Sequence, residues 1–464
     1  MESVILVPFE GEGRGTAAAT WGQLAIWAAL SKQNFSMTLN GAMALPPGST
    51  LEHVIATMRY IMSRHQSLRT RLSFDPDAVG GIRQVLYERG EVPLRIVDVE
   101  EGEDPQQVAA DLLQRLSAAK FDYADEWPIR MALVRRDGIA THSVAVYCHL
   151  AVDAYGLQAL VDDLAGLDYS ATTVPPPSKA VQPMQLARSQ AEPDGIRQHE
   201  ATVRRWRRQL AKVPARRFGN TSDERDPRQW HARLESPAIH LATPLVCARL
   251  RADPTAVALA AVAVELARVT GSSPSVVQIV AHNRFRPGLA DAVTPVAQTG
   301  LCVIEVTDAT FDEVVARAWR ASIQAYMNSY YNPILLDEML AGLGRERGEE
   351  IDLGCYFNDR RAQDARSADD PLPDPEQLSR SLDLGTLTWG EPTPDPGERF
   401  FITMEEHPDS TLILMDADTR YLPPDHIEGL LRGMERTLVA AALAPNTLTG
   451  VRLQPGQAAQ AAAA

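Results

Sequence analysis

The chain has 464 residues, 45% apolar and 23% charged, a make-up that buries a full core and excludes a fibre, a linker or a disordered tail. At about 150 residues per domain it holds two large domains or three smaller ones. Asp and Glu outnumber Lys and Arg by 60 to 45, giving a net charge of -15. That balance argues against a surface made for phosphate backbones or anionic lipid, so neither nucleic acid nor membrane is expected as a partner.

In chain order, residues 1–9 carry an early Glu2 and no basic stretch ahead of a short apolar run, which fails as a secretory signal. Leu51, Val54, Ile55, Met58, Ile61 and Met62 recur at three and four, predicting a helix over 51–65. Residues 141–150 read as a buried strand and 157–167 as a helix with Leu157, Leu160, Val161 and Leu164 on one side. The stretch 170–183, with Pro175, Pro176, Pro177 and Pro183, breaks the pattern and marks a lobe boundary. Beyond it come a helix over 255–270, strands over 275–281 and 301–306, and helices over 311–326 and 425–443. Two irregular stretches, 361–376 and 391–398, are expected as exposed loops. The apolar run 257–264 ends at Glu265, far short of the ~20 residues of a bilayer span. Cys148, Cys247, Cys302 and Cys355 have no paired spacing, so reduced thiols are expected, with neither a zinc site nor a disulfide framework. Together these features predict a soluble, cytoplasmic α/β protein with an N-terminal lobe over 1–171, a C-terminal lobe over 172–455 and a disordered tail over 456–464.

The segment Tyr147-Cys148-His149-Leu150-Ala151-Val152-Asp153-Ala154-Tyr155-Gly156 lies where a buried strand runs into a helix, the place where open sheets put their chemistry. A histidine there has a fixed backbone and a ring free to face a crevice, and its ordinary pKa near 6.5 suits an acid or base. The spacing alone decides little. Ten histidines would meet an Asp four residues on roughly half a time by chance, and taken alone the segment fits a histidine that only donates a hydrogen bond at a strand end better than a catalytic one.

The same segment is similar to the His-His-x-x-x-Asp-Gly motif of condensation domains of nonribosomal peptide synthetases, members of the chloramphenicol acetyltransferase-like superfamily. Thr20-Trp21-Gly22-Gln23-Leu24-Ala25-Ile26-Trp27 resembles the family's opening Ser-x-x-Gln-x-x-x-Trp helix, and Arg64-His65-Gln66-Ser67-Leu68-Arg69-Thr70 resembles its Arg-His-Glu-x-Leu-Arg-Thr box. Trp206 matches a Tyr-Trp-like helix, and Asn283-Arg284-Phe285-Arg286-Pro287 through Gly300-Leu301 resembles the Gly-Arg-x-x-x-x-Leu segment and the strand after it. His65 reads as structural, tying the 51–65 helix to a strand.

This resemblance implies two chloramphenicol acetyltransferase-like lobes arranged as a V-shaped pseudo-dimer, with an active-site channel between them. It assigns the catalytic role to His149 and a supporting ion pair to Asp153 and Arg284. Cys148, Ala154 and Asn358 become candidates for lining the channel. Two motif positions depart: Cys148 replaces the first histidine and Ala154 the glycine. Strand alternation turns Cys148 and His149 to opposite faces, which makes Cys148 a packing residue. A methyl at 154 narrows a place where glycine admits a close approach. The implied reaction moves an acyl or aminoacyl group from the phosphopantetheine thioester of an acyl or peptidyl carrier protein, supplied in trans to a free-standing enzyme. The acceptor is an amine or hydroxyl, on a small molecule or on a second carrier, and no metal or resident cofactor is required. Two alternatives stay open: a catalytically silent relative that recruits a partner enzyme to a carrier protein, and a coenzyme A-dependent acyltransferase of the same fold.

Overall fold

Alternating apolar positions make strands and apolar stripes at three and four make helices throughout the chain. A computed structural model describes residues 2–31, 36–169, 176–219, 221–361, 373–394 and 398–452. The expected tail, residues 170–175 of the proline-rich break, and parts of the two expected loops lie outside the described residues. The fold is mixed α/β, with its contacts gathered into two compact units. The first takes residues 1–199, 282–298 and 331–335, and the second takes 200–281, 299–330 and 336–464. The division expected after residue 171 therefore falls inside the first unit, which also collects two later segments.

The first unit contains β1 (Glu2–Glu10), β2 (Gly15–Ala18), α1 (Trp21–Leu30), β3 (Thr38–Ala44), α2 (Leu51–Arg64), β4 (Thr70–Phe74), β5 (Ile82–Leu86) and β6 (Arg89–Asp98). It continues through α3 (Pro105–Ala118), β7 (Ile129–Arg136), β8 (Ile139–Cys148), α4 (Ala154–Asp163) and α5 (Pro183–Ala191). One sheet has the order β1-β6-β7-β8-β3 and a smaller one β2-β5-β4. β8 lies between β7 and β3 and pairs antiparallel with both, so the backbone that ends at Cys148 is held from two sides. Met58, Met62, Val92, Leu94 and Leu133 fill the core, and Val293, from the later segment 282–298, packs into the same cluster.

The second unit is entered along α6 (Pro193–Leu210) and contains β9 (Gln229–Ser236), α7 (Pro237–Leu250), α8 (Pro254–Thr270), β10 (Ser275–Ala281), β11 (Gln298–Ile304), α9 (Phe311–Met327) and α10 (Pro333–Arg347). It closes with β12 (Cys355–Asp359), α11 (Pro375–Ser381), β13 (Thr386–Trp389), β14 (Phe400–His407), β15 (Ser410–Asp418) and α12 (Pro424–Leu443). Its sheet runs β11-β10-β12-β14-β15-β9-β13. The apolar run 257–264 is the buried middle of α8, a helix apolar all round because it is enclosed all round. Glu265, which ends that run, is itself buried, and it accepts hydrogen bonds from Arg268 at 2.6 Å and Thr437 at 2.6 Å. Among the described residues no helix is long and apolar enough to cross a membrane.

The expected elements shift in informative ways. The helix expected to start at 157 starts at Ala154, because Asp153 caps it. α11 occupies part of a stretch expected to be loop. The segment 282–298, read from sequence as part of the later lobe, seats on the first unit beside α1, where a Cβ on Gly22 would lie 2.0 Å from the Pro295 carbonyl oxygen. Gly22→Ala is therefore expected to lower Tm and speed amide exchange across 282–298 while far-UV circular dichroism stays native. Unchanged exchange in that segment would show that Gly22 does not set its seat.

Candidate functional site

β8 delivers Cys148 and His149 to the edge of the first unit. The Cys148 amide donates to the Pro128 carbonyl at 2.9 Å, and the His149 amide donates to the Met37 carbonyl at 3.1 Å. The chain then turns: the Ala151 amide donates back to the Cys148 carbonyl at 2.9 Å, and Leu150, Ala151 and Val152 are buried beneath the turn. Anchored in this way, the His149 backbone sits in the turn just past the end of β8, and its side chain is half-buried. Cys148 faces inward, 1% exposed, and burial pushes its thiol up to about 12. It borders a void of about 20 Å³ shared with Gln23, Thr70 and Tyr123, room for a single water. A thiol held that high is protonated at neutral pH, so Cys148 acts in packing.

Asp153 closes the turn. It is 3% exposed and caps α4, its Oδ1 accepting from the Gly156 amide at 2.7 Å. The same oxygen takes Arg284 Nη2 at 2.7 Å, and Oδ2 takes Arg284 Nη1 at 3.1 Å. Oδ2 also accepts the amides of Val296 at 2.9 Å and Ala297 at 3.0 Å. Arg284, 9% exposed, uses Nη2 again toward the Ala292 carbonyl at 2.7 Å. This is a two-pronged guanidinium–carboxylate contact in which three backbone amides also donate to the carboxylate, the arrangement that makes a buried charge tolerable, while Arg284 Nε is left without a partner among the described residues. The pair expected from the motif is thus present, and it joins the His149 turn to the segment 282–298.

The two altered motif positions behave differently from each other. Ala154 is exposed at the first turn of α4. Within the chain the close approach falls at Gly156, where a Cβ would lie 2.3 Å from the Val293 carbonyl oxygen and 2.9 Å from Arg284 Nη2. Sequence offered a weak signal for this, a glycine at the third residue of a capped helix. The carbonyl that demands it comes from more than a hundred residues away. Asn358 lies on β12 in the second unit, paired in register with Thr403 of β14, and so belongs to a different unit from His149.

The far end of α4 carries a clasp that the motifs did not reveal. Arg64 grips Asp163 with Nε at 2.7 Å and Nη2 at 2.7 Å, and His65 Nε2 lies 3.0 Å from the same carboxylate. Burial pushes the Asp163 carboxyl up, but the hydrogen bonds from His65 and Arg64 outweigh it and hold the group well below the usual carboxylate range. His65 is thereby structural, as its box suggested.

Removing one partner of the buried pair leaves the other stranded, which costs about 3 kcal/mol or more. Arg284→Ala should accordingly lower Tm by several degrees, and an unchanged melting curve would remove that role. Gly156→Ala should cost about 1–3 kcal/mol through overpacking, whereas Ala154→Gly at an exposed position should change stability by no more than about 1 kcal/mol. Parallel thermal melts of the two variants check the contrast, and equal losses would contradict it.

The condensation domain family model matches residues 16–347. The nonribosomal peptide synthetase kk1B of Curvularia clavata is 28% identical over 172 residues, 36% of this chain and 1% of that protein. The chain spans one to two per cent of the length of the curated relatives it matches. Among solved structures, the condensation domain that mediates chain release from the enacyloxin polyketide synthase aligns with a TM-score of 0.68 at 18% identity, covering 94% of this chain and 83% of that one. The X-domain in complex with OxyB from teicoplanin biosynthesis aligns with a TM-score of 0.67 at 20% identity, covering 96% and 98%. With the family model extending over most of its length and the two-lobed fold shared with these neighbours, the chain belongs to the condensation domain family.

Proposed function

We propose that this chain catalyses acyl transfer from a carrier-bound thioester to an amine or hydroxyl acceptor, with His149 as the catalytic residue. The observation that supports this most is the position of the imidazole. It is half-buried at a strand end, on a turn whose closing carboxylate accepts three amides and a guanidinium. Such a turn holds a ring with little reorganisation, which suits a group that must meet a reacting atom in one geometry.

In this reading an acyl or aminoacyl group arrives on the phosphopantetheine arm of a carrier protein. The acceptor nitrogen or oxygen forms a bond to the thioester carbonyl carbon, and the carbon–sulfur bond breaks as the tetrahedral intermediate collapses. The acceptor's proton passes to the His149 imidazole and from there to the departing sulfur. An alkylamine at neutral pH is mostly protonated, so keeping it neutral and oriented is half of the task. The thioester is already activated, and the balance of this step calls on no other co-reactant.

A second reading, recruitment of a partner enzyme to a carrier protein without catalysis, is favoured by the buried Cys148 in place of the motif's first histidine and by likeness to an X-domain solved with OxyB. Purified protein incubated with an acyl-loaded carrier and candidate acceptors, read by mass spectrometry, separates the two. Turnover that falls about 100-fold or more in His149→Ala, with Tm retained, supports the catalytic reading. Binding of loaded carrier without turnover supports recruitment, and turnover with coenzyme A thioesters alone replaces the carrier as donor. Cys148→Ala should keep at least most of the wild-type rate, because a thiol pushed up to about 12 offers no thiolate at neutral pH. Loss of activity in that variant with the fold intact would instead assign the sulfur a chemical role.

A further inference from the structure

A cleft of about 830 Å³ opens on the outer side of α4, within the first unit, between that helix, residues 176–180 and the segment 282–291. His149 is not among its lining residues, whereas Arg284 and Tyr155, which adjoin the His149 turn, are. Its volume lies in the range of small-molecule sites. Its rim is aromatic and open: Tyr155 and Phe285 are each 52% exposed, with the His282 ring 4.7 Å from one and 5.6 Å from the other between centroids.

The charges in the cleft sort into two groups. Arg64 is matched by Asp163 and Arg284 by Asp153, so the charge of each guanidinium is offset. What remains is two exposed carboxylates, Asp162 and Asp291, and the exposed ammonium of Lys179, none with an ionic partner among the described residues. Burial and, next, the nearby Arg284 charge hold the His282 ring below the ordinary histidine range, which leaves it neutral beside Tyr155. The Arg286 guanidinium already lies over Phe285, 5.4 Å from its centroid, and Asp162 accepts from Gln158 at 2.8 Å. The pull on a further cation therefore comes from the carboxylates, which lack an ionic partner among the described residues, and from the Tyr155 ring, with Phe285 offering stacking area; the net charge of -15 adds to it.

From this juxtaposition we propose that the cleft is a binding site for a small aromatic ligand carrying an ammonium group, its ring against Tyr155 and Phe285 and its charge toward Asp162 and Asp291. The site adjoins Arg284, so an occupant touches the residue that holds the His149 turn. The inference does not rest on the acyl-transfer reading, because its test uses no thioester.

Isothermal titration of the whole chain with phenethylamine, 2-phenylethanol and 3-phenylpropionate is the experiment. The ammonium compound is expected to bind about tenfold or more tighter than the alcohol, with the carboxylate weakest. Phe285→Ala and the double variant Asp162→Asn, Asp291→Asn should each weaken phenethylamine by about tenfold, and Lys179→Gln should strengthen it. A Tm matching wild type shows each variant folded, and Lys179→Gln, a surface change that gains affinity, keeps the outcome readable if another variant unfolds. No heat for phenethylamine up to about 10 mM, equal affinity for the alcohol, or tighter binding of the carboxylate would each overturn the proposal.

Discussion

One buried carboxylate organises the region where chemistry is expected. Asp153 accepts from its own helix at Gly156, from a guanidinium at Arg284 and from two amides at Val296 and Ala297. Desolvating a carboxylate is expensive, and the cost is offset only when every lone pair has a donor. Here the donors come from two stretches of chain far apart in sequence, so the charge is satisfied only once both are in place. The His149 turn and the segment 282–298 are therefore ordered together, because neither alone can satisfy the acid.

α4 depends on the same chemistry at both of its ends. At its start a carboxylate caps the helix, where the exposed amides and the positive end of the dipole favour an anion. At its end Asp163 stands at the unfavourable pole, and the grip of Arg64 with His65 compensates for it. A helix fixed at two ends by ionic contacts cannot slide or rotate without breaking one of them. It presents the same outer face, with Tyr155, Gln158 and Asp162, to the cleft beside it.

Much of this was legible in the amino-acid sequence, for reasons that differ by residue. The strand ending at Cys148 and the helix after Asp153 follow from local pattern, and the Arg284 partner followed from motif position, where the chain order of the boxes stands in for distance. What stayed hidden depended on contacts that no local window contains. Gly156 looked unremarkable while Ala154 drew attention, because the carbonyl of Val293 that crowds position 156 belongs to a distant segment. Asp163 was one acid among many until the fold set it against Arg64. The grouping of the chain has the same cause: contacts made by 282–298 and 331–335 place those residues in the first unit, and no local break in the sequence reports such contacts.

The replacement of a histidine by Cys148 shows how one strand position can change without disturbing its neighbour. Side chains at 148 and 149 leave the sheet on opposite faces, and β8 is pinned by β3 and β7 along its length. On the inner face Cys148 borders a space of about 20 Å³. The thiol thus packs on the inner side, while the imidazole stands half-buried at the next position. The Asp153 cluster holds the His149 turn through side-chain and amide contacts, and residue 148 contributes to it only through its backbone, which any side chain at 148 would keep.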